Sequence, residues 1–153
     1  SGFPVVTVDN ATGKSHRKGI EVSGVWTPVS WLDLSATYTY LDSTDANGNQ
    51  EVRRPRHSGR VDATARFHED RARVTLSAIF NADMTDNDFS TFTVTSLQDY
   101  VLVNAKASYQ ISDHAEAFVR VENLLDQDYE EIWSYQAAGI SAYAGVSVKL
   151  GGE

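Results

Sequence analysis

Arg53, Arg54, Arg56 and His57 gather three guanidinium groups and an imidazole into one short run of the chain. Guanidinium grips carboxylate or phosphate in a bidentate fork, so these four are the candidate seat for an anionic ligand. The competing use of such a run is internal, with each cation taken up by a neighbouring loop acid or by a lipid phosphate. A second basic run holds Lys14, His16, Arg17 and Lys18. Asp83, Asp86 and Asp88, and the turn carrying Asp45, Asn47 and Gly48, offer hard oxygen ligands of the kind calcium takes. Neither has the full calcium-loop pattern, so solvated loop acids are the expectation, and no metal or cofactor is assigned. His16, His57, His68 and His114 form no pair at metal-ligand spacing on one strand. With no nucleophile elbow, no phosphate-binding glycine loop and no cysteine, nothing points to an enzyme.

The balance of 13 basic against 21 acidic residues leaves a formal charge of −8, which argues against a nucleic-acid partner. Apolar types make up 41% of the 153 residues, enough for a core or a lipid-facing band. No apolar run reaches the length of a membrane-spanning helix. Ser1-Gly2-Phe3-Pro4 has neither the basic start nor the apolar stretch of a signal peptide. A leader already removed, or an internal or C-terminal piece of a longer protein, is the expectation.

The elements that must position these residues are strands. Ala72, Val74, Leu76, Ala78 and Phe80 alternate with Arg73, Thr75, Ser77 and Asn81, and successive side chains on a strand point to opposite faces. The same alternation predicts strands at 19–27, 31–41, 58–67, 72–81, 100–110, 115–123 and 140–150, with a shorter one at 5–8 before them. Connections at 28–30, 68–71 and 111–114 are tight, whereas 9–18, 42–57, 82–99 and 124–139 are long and polar. An antiparallel up-and-down meander of about eight strands puts the two kinds at opposite ends. The fold expected is all-β, a segment of a transmembrane β-barrel.

Alternation alone does not choose between lipid outside and a soluble barrel with its apolar side chains turned inward. The aromatic residues favour lipid. Trp26, Trp31, Phe67 and Tyr109 share the apolar parity beside short turns, and Tyr40 and Phe80 share it near the long loops, as two membrane-interface belts would. The polar parity carries Glu21, Asp33, Asp62, Glu116 and Glu122 with Arg60, Arg66, Arg73, Lys106, Arg120 and Lys149, a nearly neutral mixture suited to a wet lumen or a solvated outer face.

An ordered set of segments resembles a known family. Gly13 to Glu21, Ala36 to Asp42, Arg54 to His57, Tyr100 to Asn104, the run Asn123-Leu124-Leu125-Asp126-Gln127-Asp128-Tyr129 and Ala138 to Tyr143 are similar in order and spacing to the C-terminal barrel portion of TonB-dependent outer-membrane receptors. Asn123, Leu124, Leu125, Asp126 and Tyr129 form the most telling part, expected to end a strand and order the turn above it. The resemblance implies a 22-stranded barrel with an N-terminal plug that imports ferric siderophores, haem or cobalamin with energy relayed by TonB. It implies that residues 1–153 are the C-terminal part of such a barrel, without the plug. The partners implied are outer-membrane lipid, the plug and remaining barrel, TonB through the parent's N-terminal region, and the metal-chelate substrate.

Two other readings stay open at this level: a complete small eight-stranded outer-membrane barrel with a structural or adhesion role, and a soluble barrel around a lipophilic ligand. The receptor-segment reading and the small-barrel reading differ in what precedes Ser1. An isolated segment would have to hide an apolar face and two strand edges, by inward closure or by self-association.

Overall fold

The computed structural model describes residues 13–150, so the strand expected at 5–8 lies outside them. In chain order the elements are β1 (His16–Val29), β2 (Leu32–Thr44), β3 (His57–Phe67), β4 (Ala72–Ala82), β5 (Thr85–Asp88), β6 (Thr93–Ser96), β7 (Tyr100–Ser112), β8 (Ala115–Glu122), β9 (Glu130–Ile132), β10 (Tyr135–Gln136) and β11 (Ser141–Val148). β1, β2, β3, β4, β7, β8 and β11 form one antiparallel sheet in that order, while β5–β6 and β9–β10 are separate two-stranded hairpins. The strands are long because alternation continues past the points where the sequence pattern blurs. An 11-residue strand such as β3, rising about 3.4 Å per residue and tilted by about 45°, reaches about 26 Å, close to the apolar height of an outer-membrane barrel.

Register is continuous from β2 through β7. Leu34 faces Ala63, Ala63 faces Leu76, and Leu76 faces Ala105, so one row of the apolar parity crosses four strands unbroken. Irregularities lie only beside short turns. Between Trp26 and Val29, β1 takes one residue more than β2 does between Leu34 and Leu32, and Pro28, which has no N–H to give a ladder, falls within that bulge. β7 gains a residue between Gln110 and Ser112. The turn from β3 to β4 is built by His68, Glu69 and Asp70, all left-handed with φ of 53°, 55° and 65°, and closed by the Arg71 N–H on the His68 carbonyl.

Packing is concentrated above the sheet, not against it. Among the described residues Met84, Leu97 and Tyr100 are the buried apolar ones, Ser43, Asp86 and Asn123 are buried at the same end, and Ser77 is buried within the wall. Along the wall Val22, Val61, Leu76, Val119 and Val146 are exposed. Gly59 is one place where the wall itself is tight: a Cβ there would stand 2.5 Å from Phe80 Cε1 and 2.8 Å from the Thr37 carbonyl oxygen. Gly59→Ala should therefore cost about 1 to 3 kcal/mol of stability. Phe80→Ala should relieve the ring clash, so the double variant should cost less than the two singles combined. Denaturant unfolding in lipid measures this, and strict additivity would count against the contact.

Candidate functional site

Basic residues hold the long-loop end together, and Arg53 and Arg56 join two of the loops. Arg53 Nε donates to Asp86 Oδ1 at 2.9 Å, Arg54 pairs with Glu51 at 2.8 Å, and Arg56 Nη1 donates to Asp83 Oδ2 at 2.8 Å. Arg17 also lies on Glu51, and Lys18 on Asp42. His57 leaves the group altogether. It pairs with Tyr40 across β2 and β3, and its Nδ1 meets the Tyr38 hydroxyl at 2.8 Å on the apolar face. The four residues expected to make one anion seat thus do not converge, because loop acids take each arginine and strand parity turns the histidine outward.

Asp86 is fully buried. Its Oδ1 also accepts the Asn87 N–H, and its Oδ2 accepts the Trp133 N–H at 2.9 Å. Burial works to raise the pKa of this carboxyl, but the Arg53 guanidinium and the N–H groups of Trp133 and Asn87 outweigh it and hold the group below the usual carboxylate range. Asp88 is lowered by the Ser90 hydroxyl and N–H, with Thr91 adding to them. These acids are therefore spent on hydrogen bonds within the chain. Among the described residues no three His, Asp or Glu side chains converge to hold a metal ion.

The loop from β8 to β11 is built on Asn123, which is 3% exposed and left-handed at φ 52°. Its Oδ1 accepts the Gln127 N–H at 2.8 Å, and its Nδ2 donates to the Gln127 carbonyl at 2.9 Å and to that of Ala138 at 3.4 Å. Its own N–H donates to Asn104 Oδ1 on β7, and the Leu124 N–H to the Val103 carbonyl. Asp126, also left-handed, accepts the Ile140 N–H. Leu125 is exposed at the top of this turn. Tyr129 lies on Tyr100 with ring centroids 4.6 Å apart, and the Tyr100 hydroxyl accepts from Asn81 and donates to Glu131. Between the two loop hairpins lies a cavity of about 410 Å³ lined by Ser96, Gln98, Asp128, Tyr129, Glu130, Trp133 and Gln136.

On the wall, Phe67, Ala72 and Tyr109 occupy one row at the short-turn end, and Trp31, which lies in the turn before β2, stacks on Phe67 at 6.5 Å. Trp26 pairs with Leu34 just before the bulge. Tyr40 pairs with His57, and Phe80 stacks on Tyr38 at 6.3 Å, at the long-loop end of the same face. The opposite face is a polar ladder. Asp62 accepts from Arg60, Ser77 and Ser35 on three adjacent strands, and Arg66, facing Arg73 across the strands, reaches Asp33 and Asp70. Apolar Phe118 and Tyr143 also lie on that face, under Lys106 at 5.6 Å and Arg120 at 4.4 Å.

Sequence reasoning had Asp86 only as one of three loop acids. Its partners lie 33 and 47 residues away, and no local spacing announces them. Tyr100 and Trp133 were likewise not singled out.

Comparison with known proteins places this architecture. The vitamin B12 transporter BtuB of Vibrio cholerae is 28% identical over 144 residues, covering 92% of this chain and 23% of that protein. The ferric-pyoverdine BN7/BN8 receptor of Pseudomonas putida is 29% identical over 124 residues, covering 80% of this chain and 15% of that receptor. The siderophore receptor PiuA of Acinetobacter baumannii has the same fold, with a TM-score of 0.72 over 89% of this chain and 22% of its own, at 22% identity. The chain spans less than a quarter of the length of each. These relatives are transporters and receptors, not enzymes. The TonB dependent receptor-like β-barrel model matches residues 1–124, and the chain accordingly belongs to that family of outer-membrane barrels.

Proposed function

We propose that this chain is the C-terminal part of the barrel wall of an outer-membrane receptor that imports a ferric siderophore, haem or a cobalamin-like nutrient. The observation that carries the reading is the single continuous apolar face, open along the seven-stranded sheet, opposite a face of paired charges. A wall of that kind buries its apolar side in lipid and lines a wet lumen with the other. Trp26, Trp31, Phe67 and Tyr109 then anchor the wall at the short-turn interface, with Tyr40 and Phe80 at the long-loop interface. The loops above, two of them tied together by Arg53 and Arg56, form the mouth that meets the metal chelate. In the parent protein the lumen face meets a plug, through which TonB supplies energy. The names of the relatives support cobalamin and ferric chelates as the substrate class.

Deleting the gene that encodes this chain and following radiolabelled cobalamin, haem iron and several ferric siderophores tests the reading. Uptake of one of them should fall at least tenfold and return with the intact gene only in cells that have TonB. Unchanged uptake of all of them would overturn it.

A further inference from the structure

Asp86 sits where three loops meet. Loop 45–56 supplies the Arg53 guanidinium, Asp86 itself opens the β5–β6 hairpin of loop 83–99, and loop 123–140 supplies the Trp133 N–H from the tip of β9–β10. Between the first two loops the bonding is redundant: the Arg53 N–H reaches the Thr85 carbonyl at 2.7 Å, and the Asp83 carbonyl accepts from the Arg56 N–H and from Gln50 Nε2. The third loop leans on its neighbours through fewer links: Asp86 holds the Trp133 N–H, and Tyr100 holds Tyr129 and Glu131. Asn123 and Leu124 anchor the root of that loop to β7 and Tyr100 steadies its arm at Tyr129 and Glu131, whereas Asp86 engages its tip.

We propose that Asp86 is a latch that makes the three long loops open and close as one body. A buried carboxylate that loses any donor is left partly unsatisfied in a medium where that is costly, so release of one loop weakens the hold on the other two. The cavity between the hairpins has walls from both sides of the latch, Ser96 and Gln98 on one and Trp133 and Gln136 on the other, so parting the hairpins at the latch widens it. Its role in admitting substrate rests on the receptor reading above. The mechanical coupling stands on the hydrogen bonds.

Hydrogen exchange read by mass spectrometry on the full-length receptor in lipid nanodiscs tests the latch. In the wild type, amides of 45–56, 83–99 and 123–140 whose exchange requires the loops to part should share one opening equilibrium. Asp86→Asn should raise exchange in 123–140 by about tenfold or more and in 45–56 and 83–99 by less, since those two stay bonded to each other, with β3 and β4 unchanged. Should that variant disturb the wall as well, Arg53→Gln decides, because it leaves the carboxylate in place and should still loosen 123–140, which Arg53 does not touch. A rise confined to 83–99 in the first variant, or to 45–56 in the second, would overturn the proposal. Chelate uptake by the same variants is read separately, so a receptor that imports none of the tested nutrients would defeat the functional reading and leave the exchange result standing.

Discussion

Asn123→Ala will destabilise the loop from β8 to β11 by about 2 to 4 kcal/mol. The substitution takes their partner from the Gln127 N–H and the Gln127 and Ala138 carbonyls; Asn123 is 3% exposed but Gln127 is half-buried and Ala138 exposed, so water replaces part of what is lost and the three together cost about 1 to 3 kcal/mol. Alanine also holds φ 52° less readily than asparagine, which adds about 1 kcal/mol. Asn123→Gly separates the two contributions, since glycine restores the backbone freedom and leaves the hydrogen bonds broken. The loss should appear as faster exchange of the amides of Leu124, Gln127 and Ile140 in the full-length receptor, larger for alanine than for glycine. Equal protection in all three proteins would show that the side chain does not clamp this loop.

Leu76→Arg should cost about 2 to 4 kcal/mol in a bilayer, because it sets a charge at mid-wall on the lipid side. Leu76 pairs with Ala63 and Ala105 and is 50% exposed, with no polar neighbour in its row to receive a guanidinium. Thr75→Arg, one residue away on the other face, should cost about 1 kcal/mol. It loses the Thr64 hydroxyl contact of 2.9 Å and gains a like charge opposite Lys106, but water and the charge ladder remain within reach. Reversible unfolding in lipid vesicles compares the two. Equal costs would mean that neither face meets lipid.

The wall was legible because a period of two is a property of each residue and its nearest neighbours: Val74, Leu76 and Ala78 declare their face without knowing what lies across from them. Two-residue parity also set the partners, once Phe67 and Ala72 were joined by a four-residue turn. Trp31 was read as the first residue of a strand and lies instead in the turn, since the bulge at Pro28 shifts the register in a way that hydropathy does not mark. The polar parity conceals Phe118 and Tyr143, which sit there because Lys106 and Arg120 cover their rings and Gly145 leaves room beneath Phe118. β5–β6 and β9–β10 were read as loop. Strands of two to four residues are too short to show a period, and the bond that fastens one hairpin to the other, from Trp133 to Asp86, joins residues 47 apart. The arginine run was visible, but which acid each arginine takes is a fact of three dimensions.

Each neighbour in the seven-stranded sheet is also the next long strand in the sequence, and this bears on how the wall is made. Closing β1 on β2 needs only residues 30–31, closing β3 on β4 only the turn 68–71, and closing β7 on β8 only residues 113–114. Loop-closure entropy grows with the logarithm of loop length, so these three hairpins meet first, and the longer crossings from β2 to β3, from β4 to β7 and from β8 to β11 follow once their ends are held by strands already paired. Assembly then advances by accretion at a growing margin, with low contact order despite an all-β product, and no strand has to be threaded between two others already in place.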